Sequence, residues 1–204
     1  MKPILCLVAI GSQYTMYISP SVRKILEKKF RICLLTDDKS QNGFFDIEIY
    51  TSKVFTYFAK LTFSIEMVIK HQHGVYYCDV DKLDELNSLR GFDKDTFTYT
   101  NHWPGVPYFK QLEKENYWRR AVWFWIAKGY NYNFTQPIEE HTFYMPYHKQ
   151  SNKLLDTIKE IQPIFEEMST SNDNIYSHKG IGNGEGLALS YALDVCNIQT
   201  QRLL

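Results

Sequence analysis

Two aspartates one residue apart, Asp79 and Asp81, end a run of strand-forming residues in "GVYYCDVDKLDEL", Gly74 to Leu86. Carboxylates at that spacing can approach one hard divalent cation, which can bridge diphosphate oxygens and neutralise charge on a leaving group. Aspartate is also a favoured helix N-cap, so Asp81 could instead open a short helix with Lys82, Leu83 and Asp84 as its first turn. Context favours a ligand site: a buried strand runs straight into the pair, and "TDD" (Thr36, Asp37, Asp38) closes a neighbouring strand with hydroxyl and acidic groups. A second candidate is the loop "HKGIGNGEG", because glycine-rich loops ahead of a helix turn backbone N–H groups towards phosphate.

These groups need elements that bring them to one place. "PILCLVAI" and "RICLLTDD" are continuous apolar runs of the kind that strands buried on both faces show, and "FDIEIYT" alternates like a third strand. Between the first two, Ser19 offers an N-cap and Pro20 the first helical position, with Val22, Ile25, Leu26 and Phe30 on one face. From about Thr56 to His71 a second stripe holds Phe58, Leu61, Ile65 and Val68. Lys60 on this helix could reach a diphosphate, or could be an ordinary solvated face residue. Strand, helix, strand, strand, helix, strand is the order of an α/β domain with a largely parallel sheet flanked by helices. Ligands of such open sheets bind outside the carboxyl ends of the strands, where "AIGSQY", "TDD" and "DVD" all fall.

The second half is less regular. "DTFTYTNHW" and "EEHTFYMP" read as strands and "EKENYWRRAVWFWIAKG" as a helix closed by Gly129. Residues Asn152 to about Ser169 have helical spacing that Pro163 should kink or interrupt. A last helix places Leu187, Ala188, Tyr191 and Val195 on one face. His102 and Trp103 lie just past a strand end, where the indole could stack on a sugar ring or plug the core. Trp118, Trp123 and Trp125 sit at helical spacing and pack. No linker separates two units, so residues 1–204 read as one domain, with halves at 1–100 and 101–204.

Composition narrows the partners. Lysine plus arginine equals aspartate plus glutamate, 23 each in 204 residues, which argues against a nucleic acid or an anionic membrane held by charge. Fifteen tyrosines, 13 phenylalanines and 4 tryptophans can line sugar or base pockets, though such rings more commonly build cores. The four cysteines show no CxxC spacing, and three fall in apolar strand-like runs, which suits a reducing, cytoplasmic setting. The start lacks a signal-peptide pattern, and the longest later apolar run, Ala121 to Ala127, is far short of the roughly 20 residues that a membrane span needs. Nothing in the sequence sets an oligomeric state.

With these residues in hand, the chain resembles nucleotide-sugar-dependent glycosyltransferases of the GT-A fold, whose N-terminal half-sheet holds the nucleotide and whose DxD holds manganese and diphosphate. "LVAIGSQYTMYISPSVRKILEKKFRICLLTDD" and "YYCDVDKL" are similar to the opening and the DVD segment of the family of histo-blood-group and α1,3-galactosyl transferases. The resemblance covers about the first 100 residues. It implies a UDP-sugar donor, a glycan or other hydroxyl acceptor, and Mn2+ or Mg2+. It also implies uridine contacts from Ala9, Ile10 and Tyr14, ribose and diphosphate contacts from Asp79, and metal ligation by Asp81 with Asp79. Asp37, at the next strand end, falls on the nucleotide side. The closest counterpart of the family's acceptor motif is "HKGIGNGEGLALSYAL". There Glu185 would be the carboxylate of a retaining enzyme or the base of an inverting one, or would only complement the dipole of its helix. By analogy with other GT-A families, His178 would complete the metal shell and Lys179 would meet a phosphate.

Two other readings remain open. A strand ending in DxD also opens haloacid-dehalogenase-like phosphatases, whose first aspartate attacks phosphorus. That group has threonine or valine where Leu83 stands, and its motif opens the chain. Alternatively, the domain only binds a nucleotide or glycan, because fold does not fix function.

Overall fold

The computed structural model of the chain describes residues 2–10, 14, 17–38, 47–50, 58–87, 89, 93–100, 129, 138, 141–170 and 185–203. Seven strands among them form one mixed sheet: β1 (Ile4–Ala9), β2 (Arg31–Thr36), β3 (Ile47–Tyr50), β4 (Val75–Cys78), β5 (Phe97–Thr100), β6 (Thr142–Met145) and β7 (Thr200–Leu203). Their order is β3-β2-β1-β4-β6-β5-β7. β1 pairs parallel with β2 and β4, and β2 with β3. β6 runs antiparallel between β4 and β5, and β7 lies parallel to β5. The helices are α1 (Pro20–Glu27), α2 (Ala59–His71), α3 (Ser151–Thr170) and α4 (Glu185–Val195). The expected α/β class with a largely parallel sheet is what the chain adopts.

The continuous apolar strands are explained by burial on both sheet faces. Along β1, Ile4, Cys6 and Val8 enter one core while Leu5, Leu7 and Ala9 enter another, as the two-residue strand period requires. β2 divides the same way, with Cys33 and Leu35 on the first face and Ile32 and Leu34 on the second. The larger core gathers α2, α3 and α4 against the sheet through Leu61, Ile65, Leu154, Ile158, Ala188 and Leu193. Each fully buried Leu or Ile there contributes about 1.5–3 kcal/mol of transfer free energy. Tyr77, Phe97 and Phe143 stack through this face, with centroids 4.9 Å apart for Tyr77–Phe143 and 5.4 Å for Phe97–Phe143.

α1 starts as its sequence directs: Pro20 follows Ser19, whose Oγ accepts from the Val22 N–H at 3.4 Å. Its inward residues, however, are Val22 and Leu26, with Phe30 packing on the same core just past the helix end, whereas Ile25 is 60% exposed. In a helix of barely two turns, a residue one position off the stripe is turned about 100° away from the sheet. α2 buries Phe58, Leu61, Ile65 and Val68 as expected, and also Lys60, Ser64 and Met67, because other elements cover its flank. α3 runs through Pro163 without interruption. Proline removes one bond to the Lys159 carbonyl, and both residues lie on the exposed side of the helix, where water can serve that carbonyl. All four cysteines are buried and free. No described helix is long and apolar enough to cross a membrane. The helix expected to close at Gly129 lies outside the described residues except for that glycine, which has φ 89°.

Candidate functional site

The parallel strands β2, β1 and β4 end side by side, so Thr36 to Asp38, Ala9 and Ile10, and Asp79 to Asp81 reach one sheet edge. A cavity of about 180 Å³ opens there. β1 contributes Val8 and Ile10 to it, with Tyr14 beyond. β4 contributes Tyr77, and the residues that follow the strand contribute Asp79, Val80 and Asp81. Lys60 of α2, Glu185 at the start of α4, and His141 just before β6 complete the wall.

Asp79 is the best-anchored group of the site. Its backbone N–H donates to the His141 carbonyl at 2.7 Å. Its Oδ1 accepts from the Tyr77 hydroxyl at 2.6 Å, and its Oδ2 lies 2.7 Å from His141 Nδ1 and 3.9 Å from Lys60 Nζ. Burial pushes this carboxyl up, but the His141 hydrogen bond and the Lys60 charge, with help from Tyr77, outweigh it and hold it below the usual carboxylate value. Tyr77 is shifted the other way: burial first, then the Asp79 charge, push its phenol well above the ordinary value, so it remains a neutral donor.

Lys60 also pairs with Glu185, its Nζ 3.2 Å from Oε2, and both side chains are almost wholly buried. α4 begins at Glu185, so this carboxylate sits in the first turn, where the helix dipole favours negative charge. Asp81, in contrast, is exposed, and among the described residues its side chain makes no hydrogen bond or ion pair. It does not cap the 3-10 turn that follows at Leu83–Asn87. That turn is fixed by Glu85, whose Oε2 accepts from the hydroxyls of Thr142 at 2.9 Å and Thr100 at 3.4 Å. Lys82 N–H closes the bend onto the Asp79 carbonyl at 2.8 Å.

The other sequence candidates are distributed as follows. Ile10 and Tyr14 line the cavity, while the Ala9 side chain is buried in the core on the opposite face of the sheet. Asp37 is at the same sheet edge but not on the cavity wall. His102, Trp103, His178 and Lys179 lie outside the described residues. His141 and Tyr77 are site residues that the sequence did not single out. Only the antiparallel pairing of β6 with β4 brings His141 to the DVD segment.

The donor set suits a hard divalent cation in kind. Asp79 keeps acceptor capacity beyond its present bonds, and Asp81 offers both oxygens, which matches the one or two carboxylates that Mg2+ or Mn2+ takes alongside phosphate oxygens and water. No cluster of three ligating side chains occurs among the described residues.

No protein-family profile and no curated protein sequence matches the chain. Solved structures do match in fold. The apo form of the glycosyltransferase GlyE from Streptococcus pneumoniae TIGR4 superposes with a TM-score of 0.50 at 13% identity, over 100% of this chain and 45% of that one. A hypothetical transferase from Thermus thermophilus gives a TM-score of 0.38 at 8% identity, over 100% of this chain and 93% of the other. The chain therefore shares an α/β fold with a glycosyltransferase and spans less than half of GlyE's length.

Proposed function

We propose that the chain is a GT-A-like, nucleotide-sugar-dependent glycosyltransferase that moves a sugar from a UDP-sugar to a glycan or other hydroxyl acceptor. The observation that carries this reading is the placement of Asp79 and Asp81 at the carboxyl end of the central strand β4, on one cavity with Ile10 and Tyr14 of the β1 end. Asp79 and Asp81 would hold Mn2+ or Mg2+, which when bound supplies positive charge to the departing diphosphate. Tyr14 and Ile10 form the nucleoside wall, and Lys60 gives the site a fixed positive charge beside the diphosphate. Glu185 supplies the carboxylate on the reacting side of the sugar. His178 and Lys179 are expected to add to the cation and phosphate contacts, and His102 and Trp103 to hold the acceptor. A phosphatase that uses Asp79 as nucleophile is less well served, because Leu83 stands where that group has threonine or valine.

The test is the melting temperature with UDP, with and without Mn2+. A ligand that binds only the folded state at a hundred times its Kd stabilises by about 2.7 kcal/mol. A Mn2+-dependent rise that D81N abolishes, with the ligand-free melting temperature unchanged, is the expected result. The absence of a rise with any nucleoside diphosphate sinks the proposal. Hydrolysis of a donor sugar without acceptor separates an enzyme from a binding domain, and its loss in E185Q, measured at a temperature where the variant is folded, assigns the chemistry to Glu185.

A further inference from the structure

The start of β6 is joined to the end of β4 at two points. Asp79 N–H donates to the His141 carbonyl at 2.7 Å, and the His141 ring returns through Nδ1 to Asp79 Oδ2, also at 2.7 Å. From the opposite side the Tyr77 hydroxyl donates to Oδ1 at 2.6 Å. Both side-chain contacts have the short lengths of charge-assisted bonds to a carboxylate. An ionised carboxylate only accepts, so Nδ1 must carry the proton in this contact. The Asp79 carboxylate plane is thus pinned at both oxygens before any ligand arrives, with Lys60 as the third positively polarised neighbour at 3.9 Å.

We infer that His141 is a positioning residue, which acts through its Nδ1–H to hold Asp79 in the orientation that receives the nucleotide diphosphate and its cation. This inference rests on the donor-site reading above. An unpinned aspartate would have to give up side-chain freedom on binding, and a pinned one has already done so. His141 orients Asp79 from the cavity wall, where its ring is 40% exposed and substitutions are accommodated without opening the core.

The amide nitrogen of asparagine can occupy the place of Nδ1, while that of glutamine mimics Nε2. Calorimetric titration of UDP in the presence of Mn2+, at a temperature where every variant is folded, should therefore show H141A and H141Q weakened about tenfold, and H141N recovering most of that loss. Recovery by H141Q but not H141N, or equal affinity in all three and the parent, overturns the inference. Long-range proton–nitrogen NMR of the ring supplies an independent readout, with the expected spectrum showing Nδ1 protonated. A bare Nδ1 overturns the positioning role even if binding is altered. If the parent protein binds no nucleoside diphosphate, the donor-site reading fails, while the ring spectrum still decides whether His141 holds Asp79.

Discussion

Lys60 Nζ sits 3.2 Å from Glu185 Oε2 and 3.9 Å from Asp79 Oδ2, so one buried ammonium joins a carboxylate from α4 to one from β4. The pair has little access to water, its side chains being 7% and 1% exposed. Breaking a buried ion pair by removing one partner typically costs about 3–5 kcal/mol. K60M is accordingly expected to lower the urea midpoint sharply, and K60M combined with E185Q to recover most of the loss. Strict additivity of the two substitutions in a double-mutant cycle would show that the pair does not couple.

Glu85 has a defined task in holding the turn after Asp81. Its bonds to Thr142 and Thr100 tie the turn after the DVD segment to β6 and β5, and so fix where Asp81 stands. E85A removes the carboxylate these two hydroxyls share and leaves them only the longer contacts of Thr100 to the Thr142 carbonyl at 3.5 Å and of Thr142 to Cys78 Sγ at 3.3 Å, a loss of about 1–3 kcal/mol for hydrogen bonds to a charged group. E85Q retains an acceptor and is expected to cost less. If the turn positions Asp81, E85A also weakens Mn2+-dependent UDP binding relative to E85Q. Equal binding by the two variants would confine Glu85 to stability.

How far these relations could be read from the sequence depends on their range. β1, β2 and α1 were legible because a strand covered on both faces is apolar at every position, and because Ser19-Pro20 is a local start signal. The DVD segment was legible for the same reason, a strand running into two carboxylates. Lys60 was harder: the stripe Phe58, Leu61, Ile65, Val68 marks one face of α2, but nothing local shows that α3 and α4 cover its flank. His141 could not be read at all. Its meeting with Asp79 depends on β6 running antiparallel beside β4, a pairing across 62 residues. β7 is not legible because "TQRL" lacks an apolar pattern, and it becomes a strand by adding to the edge at β5.

Gly74 is fixed by a close approach. A Cβ at this position would lie 2.0 Å from the Tyr144 hydroxyl oxygen and 2.4 Å from Cζ. Tyr144 is held against Gly74 by its ring packing on Tyr76, 5.1 Å between centroids, and by its hydroxyl donating to the Lys94 carbonyl at 3.3 Å. G74A is expected to destabilise by about 1–3 kcal/mol, the usual range for forced overpacking. In a Y144A background the same change should cost much less, because the clashing ring is gone. An undiminished cost there would place the effect in the backbone instead.

The depressed Asp79 carboxyl gives the metal-free protein a specific acid response. A group whose folded pKa lies below its unfolded value adds stability that is complete above the unfolded value and is lost as pH falls through the folded one. For Asp79 that loss begins below about pH 4, the unperturbed aspartate range. His71 contributes separately. Burial, followed by the Arg31 charge, depresses its pKa, so its protonation penalty accumulates as pH falls below the ordinary 6.5. Urea midpoints measured from pH 8 to 3 without divalent cations should therefore show two descending segments. H71Q is expected to flatten the upper one and D79N the lower one. An unchanged lower slope in D79N would mean that the bonds from His141, Tyr77 and Lys60 do not favour the ionised carboxylate over the unfolded chain.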